Sequence, residues 1–472
     1  MKQAHWLRLF SVLLILLLAV ACGDDDDDDN DDATADDDAA DDDTTDDDTT
    51  DDDTTDDDSA DDDDEPWTPV EPHRETYENW TILWLAGTPY EMGLQQGQMM
   101  HEELAAGIDW LNTGHLLDLA LPVLRWLGLV DLAEQNSYPD VLEECQGIND
   151  AAADVGFTFE VCLLLNFGDI LVEFLSEGFP PAKDLAPGCT QIAAAGAATV
   201  DGRMYHGRSL DWSKIDFLLD YPVIHVRQPD DGQPHAFIGF PGNLSPYSGI
   251  NAAGVSVASN EADPLDNTMH DRVGGSHVQL VGQLLKHASN LDEAKQMVQE
   301  FDHMTVEIIT VVDGPNKEAA VFEMSAQHVG VRELSEGVVY ASNHFIAPET
   351  VNDDAEPISE SSAMRLLRLQ QLVDPDGEDT LYGDIDPAAM ISILRDRVDP
   401  ETHEEYGPEV FDNNRSIATN GAIYQIVFDP ESLLFWVAAG ALPVPAQPFV
   451  GFSLGELLEL PGAEPVTPPV YE

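Results

Sequence analysis

Bases, thiols and long apolar runs are all scarce in this chain. Nineteen Lys and Arg stand against 92 acidic residues, a formal net charge of −73. Nucleic acid and anionic lipid are therefore poor electrostatic partners. The apolar run Leu9 to Leu18 falls short of the roughly 20 residues a spanning helix needs. Fourteen histidines and four cysteines include no His-x-x-x-His or Cys-x-x-Cys spacing, which leaves a zinc site without support. The folded part contains no repeat of fixed period.

What is present divides the chain into stretches of distinct character. Residues 1–22 carry Lys2 and Arg8, then the apolar run, then Ala19-Val20-Ala21-Cys22, the anatomy of a secretory signal. Small residues ahead of a cysteine resemble a lipoprotein signal, which implies lipidation at Cys22 and an exported protein held on a bacterial membrane, at its periplasmic face or on the cell surface. Residues 23–66 are dominated by Asp, Thr and Ala with a recurring Asp-Asp-Asp-Thr-Thr unit. Such a tract builds no core, repels itself and reads as a disordered tether. Without its 27 Asp and Glu65, and without the two bases ahead of it, the chain still holds 64 acidic residues against 17 basic ones.

From Trp67 onward the patterning is that of one extended domain. Helical periodicity marks Pro89 to Leu111, Leu116 to Leu132, Val141 to Val155 and Glu160 to Phe174. Beyond Cys189 the character changes to short β-branched and aromatic runs bounded by Gly, Pro, Asn or Asp. These predict strands near Thr190–Ala195, Arg203–Arg208, Val223–Arg227, Ala236–Phe240, Gly254–Ser259, Glu307–Val312, Ala319–Glu323, Val338–Ser342, Ala422–Phe428 and Leu433–Ala438. Helical patterns at Val278–Glu300, Ser361–Val373 and Pro387–Arg397 interrupt them. Strands in two groups with helices between them predict sheets covered by helical layers. Leu460 to Glu472 is Pro-rich and reads as an extended tail.

Cys189 is the residue on which chemistry converges. It follows Gly188, and Gly207-Arg208-Ser209-Leu210-Asp211-Trp212 lies shortly downstream. A cysteine freed as a new N-terminus carries a thiol and an α-amine together. The amine, with an unperturbed pKa of about 7.7 to 8.0, suits a general base near neutral pH and can take the proton of its own thiol. The thiolate is the form that attacks. If Cys22 is the lipid anchor and Cys189 the nucleophile, Cys145 and Cys162 remain; they either pair, as export permits, or stay separate buried thiols, and spacing alone leaves both open.

Four separated segments carry a resemblance: Leu85 to Gly93, Gly188-Cys189-Thr190, Gly254 to Asn260, and Ala341-Ser342-Asn343-His344-Phe345. Together they resemble the N-terminal nucleophile hydrolases of the acyl-coenzyme A:6-aminopenicillanic acid acyltransferase family, with choloylglycine hydrolases and acid ceramidase more distant. The resemblance implies an α+β fold, an αββα four-layer sandwich with a helical N-terminal pro-segment. It implies self-cleavage between Gly188 and Cys189, giving a pro-segment or α chain over 67–188 and a catalytic chain over 189–460 that stay associated, followed by the 461–472 tail. Gly188 would allow a strained carbonyl beside the attacking thiol. Arg208 would favour the thiolate, Asp211 would hold the amine, Asn260 would donate to the oxyanion, and Asn343 would be a second active-site amide. His344 reads as structural, and Arg415 is a weak match to a relative's C-terminal arginine. The expected activity is an amidohydrolase or acyltransferase working on a small-molecule N-acyl amide or a peptide through a thioester, with no cofactor and no metal. The long helical segment before the cysteine departs from the bile-salt enzymes.

Other readings were weighed on residues alone. Gly451-Phe452-Ser453-Leu454-Gly455 matches a serine-esterase pattern, but that fold needs a histidine after the serine and the last one is His403. Asp374-Pro375-Asp376-Gly377-Glu378 hints at a calcium loop with its glycine misplaced and Ile385 where Glu is required. A surface-binding lipoprotein on a degenerate hydrolase scaffold is the non-catalytic alternative.

Overall fold

The computed structural model describes residues 67–177, 188–212, 216–407, 415–419, 421–463 and 465–472. Cys22, the acidic tract and Asn413–Asn414 lie outside them.

Among the described residues, fifteen strands form two sheets. The nine-stranded sheet runs β1 (His73–Tyr77), β2 (Trp80–Gly87), β5 (Val223–Pro229), β6 (His235–Gly239), β7 (Ser248–Asn251), β8 (Val255–Glu261), β9 (Glu307–Asp313), β10 (Glu318–Met324), β11 (Val329–Glu333). The six-stranded sheet runs β12 (Val338–Ala341), β3 (Thr190–Ala194), β4 (Tyr205–Asp211), β13 (Ala422–Asp429), β14 (Leu434–Ala439), β15 (Val450–Ser453). All pairings are antiparallel except β2 with β5. The helices are α1 (Pro89–Met99), α2 (His101–Leu111), α3 (Leu116–Trp126), α4 (Leu129–Asn136), α5 (Pro139–Ala152), α6 (Phe159–Leu165), α7 (Gly168–Glu177), α8 (Asp216–Asp220), α9 (His277–His287), α10 (Leu291–Glu300), α11 (Glu360–Val373), α12 (Pro387–Leu394) and α13 (Leu454–Leu457).

The two-residue period of the strands sorts side chains into layers. Ile308 and Val312 face inward with Ala193, Met204, Val339 and Phe345 between the sheets. Ile309 and Val311, one step out of phase, meet α9 and α10 on the outer face. On the far side, Ile192, Ala194 and Val427 pack against Leu369 of α11 and Met390 and Leu394 of α12. Helix, sheet, sheet, helix is the four-layer αββα arrangement, and Pro69–Glu472 is one compact unit.

Several elements differ from the sequence expectation. The stretch 67–188, expected to be helical, is not so throughout: β1 and β2 precede its helices and extend the large sheet. In β2, Trp80-Thr81-Ile82-Leu83-Trp84-Leu85 is covered on both faces, so no alternation announces a strand. Leu116–Leu132 breaks at Gly128, whose φ of +70° a side chain disfavours. Val278–Glu300 breaks where Asn290 caps α10 by accepting from Glu293 N. Glu160–Phe174 divides at Asn166, which ends α6. The tail is docked rather than free: Phe449 and Tyr471 form a backbone bridge, and Trp436 Nε1 donates to Pro469 O. Cys145 and Cys162 form a disulfide joining α5 to α6.

Candidate active site

Cys189 stands at the entry to β3, and strand phase decides what surrounds it. Gln191 and Ala193 share its face and look between the sheets, whereas Thr190 and Ile192 look toward α11 and α12. The same rule divides the neighbouring strand. Arg208 is paired with Gln191 on the inner face, and Asp211, an odd number of residues later, is on the outer one. The Arg-x-x-Asp spacing thus sends two charged groups to opposite sides of one cysteine.

On the inner side, Arg208 Nη2 lies 3.7 Å from Cys189 Sγ and donates to Ser259 O at 2.7 Å. Its guanidinium sits over the Tyr424 ring, 5.2 Å from the centroid, a cation–π contact. Arg208 is wholly buried, and its Nε and Nη1 have no hydrogen-bond partner among the described residues. On the outer side, the Asp211 carboxylate accepts from Ser209 Oγ at 2.5 Å and Thr419 Oγ1 at 2.9 Å. The Asp211 backbone carbonyl receives Gly188 N at 3.1 Å and faces the Cys189 thiol at 3.9 Å.

Arg365 on α11 went unrecognised in the sequence. It is buried; Nη1 donates to Cys189 O and, at 3.1 Å, to Thr190 Oγ1, while Nη2 donates to Asn343 Oδ1 at 2.7 Å. Ser362, Leu369 and Leu372 mark the buried stripe of α11, and Arg365 lies on it. A cation on the core-facing stripe of an amphipathic helix is the signal that would have found it. Arg415 pairs with Asp399, Glu360 and Glu401, and Arg365 is the arginine that holds the Cys189 carbonyl.

The two asparagines come from opposite sheets. Asn260 is the penultimate residue of β8 and faces inward; its Oδ1 accepts from Gln191 Nε2 at 2.6 Å, and its Nδ2 donates to Ser342 O at 2.9 Å. Asn343 follows β12; its Nδ2 donates to Glu261 O at 2.7 Å and its backbone N to Ser362 Oγ at 2.8 Å. Asn343 is therefore one residue removed from Cys189, through Arg365, while Asn260 is held by Gln191, two positions along the chain from Cys189. Gly254, with φ of +80° and Pro430 O within 2.8 Å of where a Cβ would stand, makes the tight turn that leads into β8. Gly188 carries no such demand: a Cβ there would meet Arg365 at an ordinary 3.5 Å.

Burial governs the charges. It pushes the Cys189 thiol above its ordinary range despite the opposing pull of Arg208, so the sulfur of the uncut chain is a thiol at neutral pH. Burial likewise raises Asp211, opposed chiefly by Arg365, and lowers Arg365 against the attraction of Asp211. His344 is drawn down to about 4 by burial, then by Arg365 and Arg332, and its Nδ1 lies within hydrogen-bonding distance of Ser362 Oγ, at 2.8 Å. A neutral imidazole so held is a bracing group rather than a base for neutral pH. Ser453, from the esterase-like pattern, caps α13 by accepting from Glu456 N. Asp374, from the acidic turn, accepts the Tyr340 hydroxyl.

Comparison with known proteins bears on this arrangement. The model of the acyl-coenzyme A:6-aminopenicillanic acid acyl-transferase family matches residues 199–441, a stretch that begins after Cys189 and contains Arg208, Asp211, Asn260, Asn343 and Arg365. An uncharacterised protein of Archaeoglobus fulgidus is 25% identical over 397 residues, 76% of this chain and 63% of its own length; the chain thus spans less than two thirds of that relative. Among solved structures, a Caenorhabditis elegans ortholog of N-acylethanolamine-hydrolyzing acid amidase is 16% identical with a TM-score of 0.36, covering 56% of this chain and 99% of its own. Penicillin V acylase from Agrobacterium tumefaciens is 13% identical with a TM-score of 0.36, covering 56% and 86%. A variant of conjugated bile acid hydrolase from Clostridium perfringens is 12% identical with a TM-score of 0.33, covering 57% and 93%. The family match takes in more than half of the chain, from ahead of β4 to the end of β14, and on it the chain belongs to the acyl-coenzyme A:6-aminopenicillanic acid acyl-transferase family.

Proposed function

We propose that the protein is a self-processing cysteine amidohydrolase or acyltransferase, exported and lipid-anchored through Cys22, that acts on N-acyl amides. The observation that carries this reading is the double grip on Cys189: Arg208 at its sulfur from one face and Arg365 at its carbonyl oxygen from the other, with the Asp211 carbonyl holding the preceding Gly188 N.

In the first event Cys189 Sγ attacks the Gly188 carbonyl carbon. The C–N bond breaks, the nitrogen keeps its own proton and takes the one given up by the thiol to become the new α-amine, and the resulting thioester is hydrolysed by water to a Gly188 carboxylate and a free thiol. Arg365 orients the Cys189 main chain throughout. In the second event the α-amine takes the thiol proton, and Arg208 stabilises the thiolate by its charge. The sulfur attacks the substrate's amide carbonyl. The remaining N–H of Asn260, together with a backbone N–H, stabilises the tetrahedral oxyanion. The α-ammonium returns its proton to the departing amine, leaving a thioester. Water or an incoming amine then takes the acyl group and restores the thiol. Asp211 steadies the ammonium by a charge-assisted hydrogen bond, and Asn343 positions the amine or the substrate while held by Arg365. No cofactor enters these steps.

The test is turnover of N-acyl 4-nitroanilides with acyl chains of roughly two to twelve carbons, a range that brackets the small to medium apolar pockets usual for such ligands. The processed protein should release nitroaniline and its Cys189→Ala variant none; equal release by both removes Cys189 from the mechanism.

A further inference from the structure

The stretch Ala341–Ala347 carries Ser342 and Asn343, and both of its ends are tied to one ion pair on the opposite sheet. Glu323 of β10 is fully buried, and its Oε1 accepts from Arg332 Nε of β11 at 2.6 Å. Arg332 Nη1 also donates to Tyr340 O at 3.0 Å, at the start of the stretch. Glu323 Oε2 accepts from Ile346 N at 2.9 Å, Ala347 N at 2.8 Å and Thr350 Oγ1 at 3.0 Å, at its end. Gly330, opposite Glu323 in the β10–β11 ladder, lets the turn come close: a Cβ there would stand 2.7 Å from Ala347 Cβ and 2.8 Å from Thr350 Oγ1.

A buried ion pair contributes little net stability over an apolar pair of equal volume, so its use here calls for a geometric reason. Among the described residues, the side-chain hydrogen bonds of Glu323 other than that to Arg332 all go to the single stretch Ile346–Thr350. Between the two anchor points lie Ser342 O, which receives Asn260 Nδ2, and Asn343 Oδ1, which receives Arg365 Nη2. We infer that Glu323 and Arg332 are a positioning pair for the active site: they set where Ser342 O and Asn343 stand, and through them the orientation of Asn260 and Arg365 around Cys189. This rests on the catalytic reading of Asn260 and Asn343 given above.

Glu323→Gln, Arg332→Lys and Gly330→Ala perturb the clamp to different degrees, and Glu144→Gln is the control. Glu144 forms a comparably buried pair with Arg227 that touches none of the site groups. With the best nitroanilide, Glu323→Gln should lower kcat roughly 10- to 100-fold, the scale of a small misplacement of catalytic groups, with KM within about twofold. Arg332→Lys, which keeps the charge, should lose less. In an Asn343→Ala background the same substitutions should add less than about twofold, because coupled residues are not additive. Glu144→Gln, compared at a temperature well below its melting point, should leave kcat within about twofold. Full additivity with Asn343→Ala, or a kcat loss in Glu144→Gln matching that in Glu323→Gln, overturns the positioning role and reduces the pair to a stabiliser. A parent protein that turns over no nitroanilide and remains one chain counts against the proposed function instead. Deuterium uptake over 341–350 then decides the clamp independently: it should rise in Glu323→Gln and not in Glu144→Gln, and unchanged uptake contradicts it.

Discussion

Arg208 and Asp211 address one cysteine from the two faces of a sheet, and the odd spacing between them is what permits it. Asn260 is placed by the same parity rule, projecting from β8 into the space that Cys189 faces. Its amide is already oriented by Gln191 and Ser342, so in the proposed mechanism its second N–H would serve an oxyanion without reorganisation. Asn260→Ala should process normally and lose about 100- to 1000-fold in turnover, the usual cost of one oxyanion donor; steady-state kinetics on the processed variant measures this. The pH dependence of scission follows from the buried thiol. Its proton is held more tightly than that of an ordinary cysteine, so the thiolate fraction, and with it the cleavage rate of freshly folded precursor, should climb from about pH 7 to about pH 9. A time course on denaturing gels reads this directly, and a rate that falls over that interval contradicts it. Of the candidate site residues, Cys189, Arg208, Asp211, Asn260 and Asn343 were legible because the short segments that carry them resemble those of a known family. Arg365 was not, because it belongs to a helix far along the chain and its role comes only from the docking of α11 against β3.

At the scale of elements, the segment Leu85 to Gly93 is a strand-to-helix junction built for close approach. Thr88 caps α1, Glu91 completes the capping box and Pro89 begins the helix. Gly93 then meets α5, where a Cβ would fall 2.0 Å from Glu144 O, and Gly147 of α5 would meet Tyr90 O at 2.2 Å. These glycines let two helix backbones touch. Gly93→Ala should destabilise the protein by about 1 to 3 kcal/mol, the usual range for overpacking, measured by urea unfolding; an unchanged midpoint would mean the helices separate at no cost. Most helices and central strands were readable from periodicity. β1, β7 and β15 were missed as well as β2 and β11; of the exceptions, β2 is buried on both faces and lacks alternation, β11 has exposed positions on its outer face, and the helix breaks at Gly128 and Asn290 depend on local capping that apolar period does not report.

At the scale of the whole molecule, the proposed division at Cys189 does not follow the architecture. β1 and β2 precede the proposed scission site yet belong to the large sheet, with β2 laddered in parallel to β5 along Thr81–Gly87. Across the same junction, Asp169 of α7 accepts from Ser276 Oγ and His277 N at the start of α9, Asn166 Oδ1 accepts from Leu244 N and Ser245 N, and Glu144 pairs with Arg227. The two products of cleavage should therefore elute together in gel filtration and part only in denaturant; separate native peaks would contradict this account of their shared sheet. That continuity was hidden in a sequence reading that took the pro-segment as helical, because sheet membership is settled by long-range pairing.

The central claim is that the bond between Gly188 and Cys189 opens to give an N-terminal cysteine. Intact-mass measurement of the purified protein and of its Cys189→Ala variant tests it most directly. The account predicts two masses from the parent, the heavier beginning at Cys189, and one uncut mass from the variant. A parent that stays whole while still releasing amine from N-acyl amides would contradict it.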